Sequence, residues 1–263
     1  MKTGHFVEGL SNVQRFLDGQ RTVEGRGARE ASWHLVKGEP GYGKSRTLMW
    51  WGAKKTNVVV RAKADWTPAW ALKDISACLG LQQSHRVNVM FEAVCNELMA
   101  KGCPPLVVDE IDHAARSVRV LETLRDITDV SECVLVAGGM KDAEGLMKRY
   151  PQIHSRIAKV TNFGPASAAD VALICEQLCD LDLAPDLADE IRRVTAGRVR
   201  LVMNAIARVE RFGKGARGGR LGVSDIKGKP LIAGDDRHDE RASAKSNDER
   251  ASAKSNEKLS EVA

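Results

Sequence analysis

One short stretch constrains this chain more than any other. Residues 38–45 read G-E-P-G-Y-G-K-S, which fits the phosphate-binding loop G-x-x-x-x-G-K-[ST]. Glycines let the backbone curl so that successive N–H groups point at one anion, and the helix that follows adds its positive end. A mostly apolar segment, 31–37, precedes the loop, and a segment able to form a helix, 46–53, follows it. Strand, loop and helix in this order predict a phosphate-binding unit.

The loop also predicts how a nucleoside triphosphate and its Mg²⁺ would be held. Lys44 is expected to reach the β- and γ-phosphates, and Ser45 to offer its hydroxyl to Mg²⁺. An ordinary Gly/Pro surface turn is the alternative, and the Gly-Lys-Ser ending in this context argues against it. The expected nucleotide contacts all lie in or beside the loop: Gly38, Glu39, Pro40, Gly41, Tyr42, Gly43, Lys44, Ser45 and Arg46.

A second informative stretch ends in two adjacent acids. The apolar run 104–108 leads directly into Asp109 and Glu110. In P-loop enzymes such a strand places an Asp near Mg²⁺ and a Glu near the attacking water. We therefore expect Asp109 to hold the metal through its water shell, and Glu110 to orient or deprotonate the water. The alternative is a strand that simply ends in a polar turn. His113 is expected to be a helix-start or surface histidine.

Composition limits the class of protein. Of the 263 residues 43% are hydrophobic, which is enough for a substantial core. No apolar run reaches the ~18 residues of a membrane span, and the first residues lack an apolar signal core. We therefore expect a cytoplasmic protein with no membrane partner. The six cysteines form no C-x-x-C pair and are expected to be buried free thiols, Cys175 and Cys179 included.

The order of apolar segments predicts two structural classes along the chain. Strands are expected at 31–37, 57–62, 104–109, 133–137 and 157–163. Helices are expected around them at 6–18, 46–53, 68–79, 87–101, 113–129 and 141–149. This alternation predicts an α/β fold with a parallel sheet flanked by helices. After Gly164-Pro165, segments 167–181, 185–195 and 199–212 predict a small all-helical domain.

These patterns divide the chain into three predicted parts. They are an α/β domain at 1–164, a helical domain with a basic end at 165–222, and a flexible tail at 223–263. In the tail, the nine-residue segment 239–247 is repeated letter for letter at 248–256. Because the repeat is almost free of large apolar residues, it cannot bury a core and is predicted to be disordered.

The most basic stretch of the chain lies at 192–220. It holds nine basic residues and one acid, Glu210, so its net charge is +8. This charge suits an anionic partner such as nucleic acid, and a solvated helix face with a glycine-rich loop is the alternative. Lys63 and Arg86 are rival contacts from the α/β domain. The candidate DNA contacts in the basic stretch are Arg208, Arg211, Lys214, Arg217 and Arg220.

Together these motifs resemble AAA+ ATPases over about residues 6–212. Residues 38–45 match the Walker A motif, and 106–110 match the Walker B motif. Ser155-Arg156 is similar to the Ser-Arg of clamp-loader subunits, which implies that Arg156 acts on a neighbouring subunit's nucleotide. Segment 197–200 resembles the sensor 2 motif of a lid helix, with Arg200 as the sensor. Many AAA+ proteins have a polar sensor 1 residue at the tip of the fourth strand. This chain has Gly-Gly-Met at 138–140 instead. The departure implies that another group positions the water or that hydrolysis is slow.

The small size and lean lid resemble the B-type transposition proteins of Mu-like phages and their transposon relatives. This resemblance implies a Mg²⁺-dependent ATPase, in a bacterial host cell, that forms an ATP-bound oligomer or helical filament on duplex DNA. It further implies little sequence preference and the delivery of target DNA to a transposase, which the protein stimulates. Two alternatives stay open: a helicase-loader or replication-initiation ATPase, and a nucleotide-regulated protein switch without DNA binding. The lid is followed by no winged-helix pattern, which counts against an origin-binding initiator.

Overall fold

A computed structural model describes residues 6–25, 31–55, 58–213 and 219–232. The chain divides into two compact units, Phe6–Asp170 and a second unit that begins at Val171. The predicted disordered repeat at 239–256 lies outside the described residues. Among the residues described, no helix is both long and apolar enough to cross a membrane.

A five-stranded parallel sheet forms the centre of the first unit. Its strands are β1 (Trp33–Gly38), β2 (Val59–Arg61), β3 (Leu106–Asp109), β4 (Leu135–Gly139) and β5 (Ile157–Phe163). They lie in the order β2-β3-β4-β1-β5, and every neighbouring pair is parallel. Strands β3 and β4 are buried along their whole length, as expected for a sheet covered on both faces. The predicted α/β fold is thereby confirmed.

Eight helices of this unit join or flank the strands within the described residues. They are α1 (Ser11–Glu24), α2 (Lys44–Lys55), α3 (Pro68–Leu79), α4 (Val87–Ala100), α5 (Ile111–Ala114), α6 (Val118–Ser131), α7 (Ala143–Met147) and α8 (Pro151–His154). The helix predicted at 113–129 is divided into α5 and α6, because Ser117 is extended and starts a new helix. The short helix predicted at 141–149 ends early, at Met147. Helix α8 then begins at Pro151, because proline lacks an N–H and the first residue of a helix has no partner for one.

Two apolar clusters fix the sheet from opposite faces. Because side chains alternate along a strand, Leu35 and Val108 join one cluster while Val36 and Val107 join the other. Helices α3, α4 and α6 cover the first face, and α1 and α2 cover the second, where Trp51 is buried. The ends of β1 and β3 are therefore held rigidly at one edge of the sheet.

The second unit is helical. Helix α9 (Ala168–Leu178) begins in the first unit, and α10 (Pro185–Thr195) and α11 (Val199–Gly213) follow. A short 3₁₀ helix, Val223–Ile226, comes after them. Residues 223–232 are predicted to belong to the flexible tail, yet this segment packs onto the helical unit. The reason is local, since Ile226 and Leu231 supply apolar side chains that are buried.

The cysteines are all free thiols. Cys95, Cys133, Cys175 and Cys179 are buried, as expected. Cys78 is exposed and Cys103 is half-buried, so the expectation of burial is wrong for these two. No group of metal-binding side chains large enough to hold a metal ion on its own occurs among the described residues.

Candidate nucleotide site

The phosphate-binding loop connects the end of β1 to the start of α2. Gly41 and Gly43 have φ angles of 85° and 91°, in the left-handed region that disfavours residues with a side chain. The Lys44 ammonium donates hydrogen bonds to the Gly38 oxygen at 2.7 Å and to the Glu39 oxygen at 2.9 Å. The cation therefore lies against its own loop, at the helix N-terminus where phosphate oxygens would bind.

Asp109 ends β3 at the same edge of the sheet as the loop. Only β4 separates β3 from β1, and the carboxyl ends of parallel strands meet at one edge. Asp109 is 3% exposed, whereas Ser45 at the start of α2 is half-buried. A hydroxyl and a carboxylate fit Mg²⁺, which binds to proteins through one or two oxygen ligands together with water and phosphates. Ser45 and Asp109 are therefore the residues that would hold it.

Glu110 adopts the left-handed conformation, with φ 55° and ψ 42°, directly before α5. Its carboxylate forms an ion pair with Arg61 at the end of β2, and it lies 3.3 Å from His113 Nε2. The hydrogen bond from Arg61 is the main cause that lowers the pKa of Glu110, and the charges of Arg61 and His113 add to it. Glu110 is therefore held ionised, in the form that a general base requires.

Arg61 and His113 are functional candidates that the sequence analysis missed. Arg61 appears there only as part of a predicted strand, and His113 is expected to have no role. Arg61 ends β2, which pairs with β3 so that Arg61 is opposite Asp109. Which strands pair is a tertiary property, and local spacing does not determine it. His113 lies three residues after Glu110, a spacing that brings side chains together on a helical turn.

The tip of β4 explains why no polar sensor 1 residue is present. A Cβ atom on Gly138 would lie 2.4 Å from Leu48 Cδ1 and 3.0 Å from Asp109 Oδ1. A Cβ atom on Gly139 would lie 2.6 Å from the Cβ of Ala143. The Met140 N–H donates to Asp112 Oδ2 at 2.7 Å. The glycines are thus required by close packing beside Asp109.

Arg156 lies between α8 and β5. Its Nη2 is 2.8 Å from Asp129 Oδ2 on α6, and its side chain is 25% exposed. Its carbonyl oxygen accepts a hydrogen bond from the Trp33 N–H at 2.8 Å. The backbone of Arg156 therefore continues the edge of the sheet, while its guanidinium contacts an acid of its own chain. Action on a neighbouring subunit stays a prediction.

The remaining candidates belong to the helical unit. Arg200 is exposed in the first turn of α11. Arg208 donates to the Pro230 oxygen at 3.2 Å, and Arg220 Nε lies 3.0 Å from Asp182 Oδ2. Arg211 is exposed, whereas Lys214 and Arg217 lie outside the described residues. Two of the predicted DNA contacts therefore interact with their own unit.

Comparison with known proteins identifies the α/β core. A family model described as AAA domain matches residues 28–147, which include the loop, β3 and β4. A "Potential ATP-binding protein" of Staphylococcus aureus is 33% identical over 124 residues, which are 43% of this chain and 45% of that protein. The chain thus matches less than half of the length of this relative.

Solved structures share the fold at low identity. An ORC1 protein of Aeropyrum pernix in complex with DNA has a TM-score of 0.58 and 18% identity, over 82% of this chain and 63% of that one. CDC6P of Pyrobaculum aerophilum has a TM-score of 0.63 and 16% identity, over 86% of this chain and 68% of that one. A RuvB protein of Thermotoga maritima has a TM-score of 0.54 and 15% identity, over 84% of this chain and 66% of that one. In loop geometry, sheet order and sequence, the segment 28–147 is therefore similar to an AAA domain, and its loop is similar to that of an ATP-binding relative.

Proposed function

We propose that this protein is an ATP-dependent, DNA-binding AAA+ ATPase that assembles on duplex DNA with little sequence preference. On this proposal it delivers target DNA to a partner transposase and stimulates it. The proposal rests on one edge of the sheet, where Lys44 follows the loop after β1 while buried Asp109 and ionised Glu110 lie at the end of β3, with β4 between the two strands.

Each group at this edge has a distinct task in hydrolysis. The backbone N–H groups of the loop and Lys44 bind the phosphates, and Ser45 and Asp109 hold Mg²⁺, which neutralises phosphate charge when bound. Glu110 takes a proton from the attacking water. Arg61 pairs with the Glu110 carboxylate and keeps it ionised for this step. Residues 165–222 serve as the lid, with Arg200 as its nucleotide sensor.

Assembly supplies a further group to the site. Arg156 leaves Asp129 and stabilises the charge on the phosphoryl group bound by the adjacent subunit. Mixing inactive Arg156→Ala with inactive Lys44→Ala protein should restore part of the activity, because a mixed interface combines an intact loop with an intact arginine. If co-assembling variants show no rescue at any ratio, Arg156 does not act in trans. Arg149, exposed before α8, is then the next candidate.

DNA binding follows from charge and repetition. Phosphate contacts come from Lys and Arg and carry little sequence information. One protomer makes few such contacts, whereas an ATP-bridged filament repeats them along the duplex and gains avidity. The test is duplex binding with ATP, with ADP and without nucleotide, across a salt series. Equal affinity in all three states would refute the filament, and absence of binding with ATP at low salt would favour the protein switch.

A helicase-loader or replication-initiation ATPase is the second candidate. The likeness to an ORC1 protein bound to DNA supports it at the level of fold. The two candidates differ in their partner. A strand-transfer assay with a transposase encoded beside this gene should show stimulation that depends on ATP and on Lys44. Stimulated helicase loading without any effect on strand transfer would favour the second candidate.

A further inference from the structure

Residues 219–232, which we call the strap, fold back onto the helical unit. Leu221 forms a parallel bridge with Leu183. The Leu221 N–H donates to the Asp182 oxygen at 2.9 Å, and the Leu221 oxygen accepts from the Ala184 N–H at 2.8 Å. The Val223 N–H donates to Asp186 at 3.1 Å. Leu221, Ile226 and Leu231 are each 5–6% exposed. The strap is therefore fixed by backbone pairing at Leu221 and by apolar burial at three positions along it.

Several cations meet where the strap crosses the end of α11. Arg208 donates to the Pro230 oxygen, and Lys229 Nζ lies 5.4 Å from the centroid of the Phe212 ring. Lys227 and Lys229 are exposed and line the same groove. On α11, Arg200, Arg208 and Arg211 are spaced so that they share one side of the helix. The strap thus places Lys229 beside the basic end of α11, and Lys227 lies on the same groove as Lys229, together with Glu190 and Arg193 of α10.

The acids near this surface are engaged elsewhere. Glu190 receives two hydrogen bonds of 2.7 Å from Arg193. Glu210 accepts from the Asp180 N–H at 3.0 Å, and Asp225 accepts from the Gly222 N–H at 2.8 Å. None of these contacts involves Lys227 or Lys229. The positive charge of the two lysines is therefore available to an external anion.

We propose that Lys227 and Lys229, together with Arg208 and Arg211, form the surface of the helical unit that contacts the phosphates of duplex DNA. This inference rests on the proposed function and assigns its DNA contacts. It also changes the role of Arg220, which holds the strap through Asp182 instead of touching DNA. Recognition of single strands relies on exposed rings for base stacking. In the described part of this surface the ring present, Phe212, is covered by Lys229, which favours a duplex.

The experiment compares two double variants of the full chain with the wild type. Lys227→Ala/Lys229→Ala removes the strap lysines. Lys55→Ala/Lys101→Ala removes the same charge from the ends of α2 and α4, at the sheet edge opposite the loop. Duplex binding with ATP is measured across a salt series. Each lost phosphate contact lowers the slope of log affinity against log salt by about 0.9, so the strap variant should lose about two slope units per protomer.

The expected result is a loss of about tenfold or more in affinity at low salt for the strap variant, with the control pair unchanged. ATP binding and thermal unfolding should be the same in all three proteins, since both pairs are exposed. Equal slopes for the two variants, or a loss confined to single-stranded DNA, would overturn the inference while the proposed function stands. If the wild type binds no duplex in any nucleotide state, the proposed DNA binding fails and the inference fails with it.

Discussion

The nucleotide edge of the sheet and the basic surface of the helical unit are built in opposite ways. The first depends on backbone geometry and buried groups, such as left-handed Gly41 and Gly43 and buried Asp109. The second consists of long exposed side chains placed by the strap, with Lys227 and Lys229 at its surface. A site made of fixed geometry should tolerate little change. A site made of repeated charges should instead lose function by degrees.

The largest effect on nucleotide binding is expected at Lys44. Lys44→Ala removes the cation that lies against the loop, and we expect nucleotide binding to be abolished because the γ-phosphate loses its main positive partner. Binding of a fluorescent ATP analogue measures this directly. Lys55→Ala, which changes an exposed lysine at the far end of α2, is the matched control and should bind the analogue as the wild type does. Similar losses for both would mean that general charge, not position, governs the nucleotide edge.

Glu110→Gln should have the next largest effect. It keeps the shape of the side chain but removes the base, so ATP should still bind while turnover falls roughly 10²–10⁴-fold. Phosphate release and nucleotide binding are measured on the same preparation. Hydrolysis at the wild-type rate would show that Glu110 is not the base.

Arg61→Ala should shift the pH dependence of hydrolysis. Glu110 acts as a base only when it is ionised, and Arg61 lowers its pKa. Removing Arg61 raises that pKa, so the acidic limb of the pH–rate profile should move to higher pH. Arg119→Ala, which changes an exposed arginine on α6, provides the control. An unshifted acidic limb in Arg61→Ala would separate Arg61 from the chemistry of Glu110.

The smallest effect on unfolding and on duplex binding is expected at Arg220 in the strap. Arg220 and Asp182 are each 65% exposed, and such surface pairs contribute at most ~1 kcal/mol to the free energy of unfolding. Arg220→Ala should therefore change denaturant unfolding slightly and leave the salt slope of duplex binding close to that of the wild type. A loss of slope as large as that of the lysine double variant would make Arg220 a direct DNA contact.

Sequence reasoning predicted the features that depend on local spacing. The loop, the acid-ended strand β3 and the amphipathic helices α10 and α11 lie close to where the pattern puts them. The ion pair between Arg61 and Glu110 joins positions 49 apart, and it could not be predicted without the order of strands. The strap was missed because a few apolar residues among polar ones show no periodicity, although three of them, Leu221, Ile226 and Leu231, are buried and anchor it.

The packing around Gly138 limits how this position can change during evolution. A Cβ atom there would lie 2.4 Å from Leu48 Cδ1, so a variant that gains a side chain must displace Leu48 from its present place in the core. Trimming Leu48 first would leave a cavity beside the loop, and such a change costs about 2–5 kcal/mol. Either order passes through a damaged intermediate. The two positions therefore constrain each other across generations, and lineages with glycine at this site should retain it for as long as Leu48 persists.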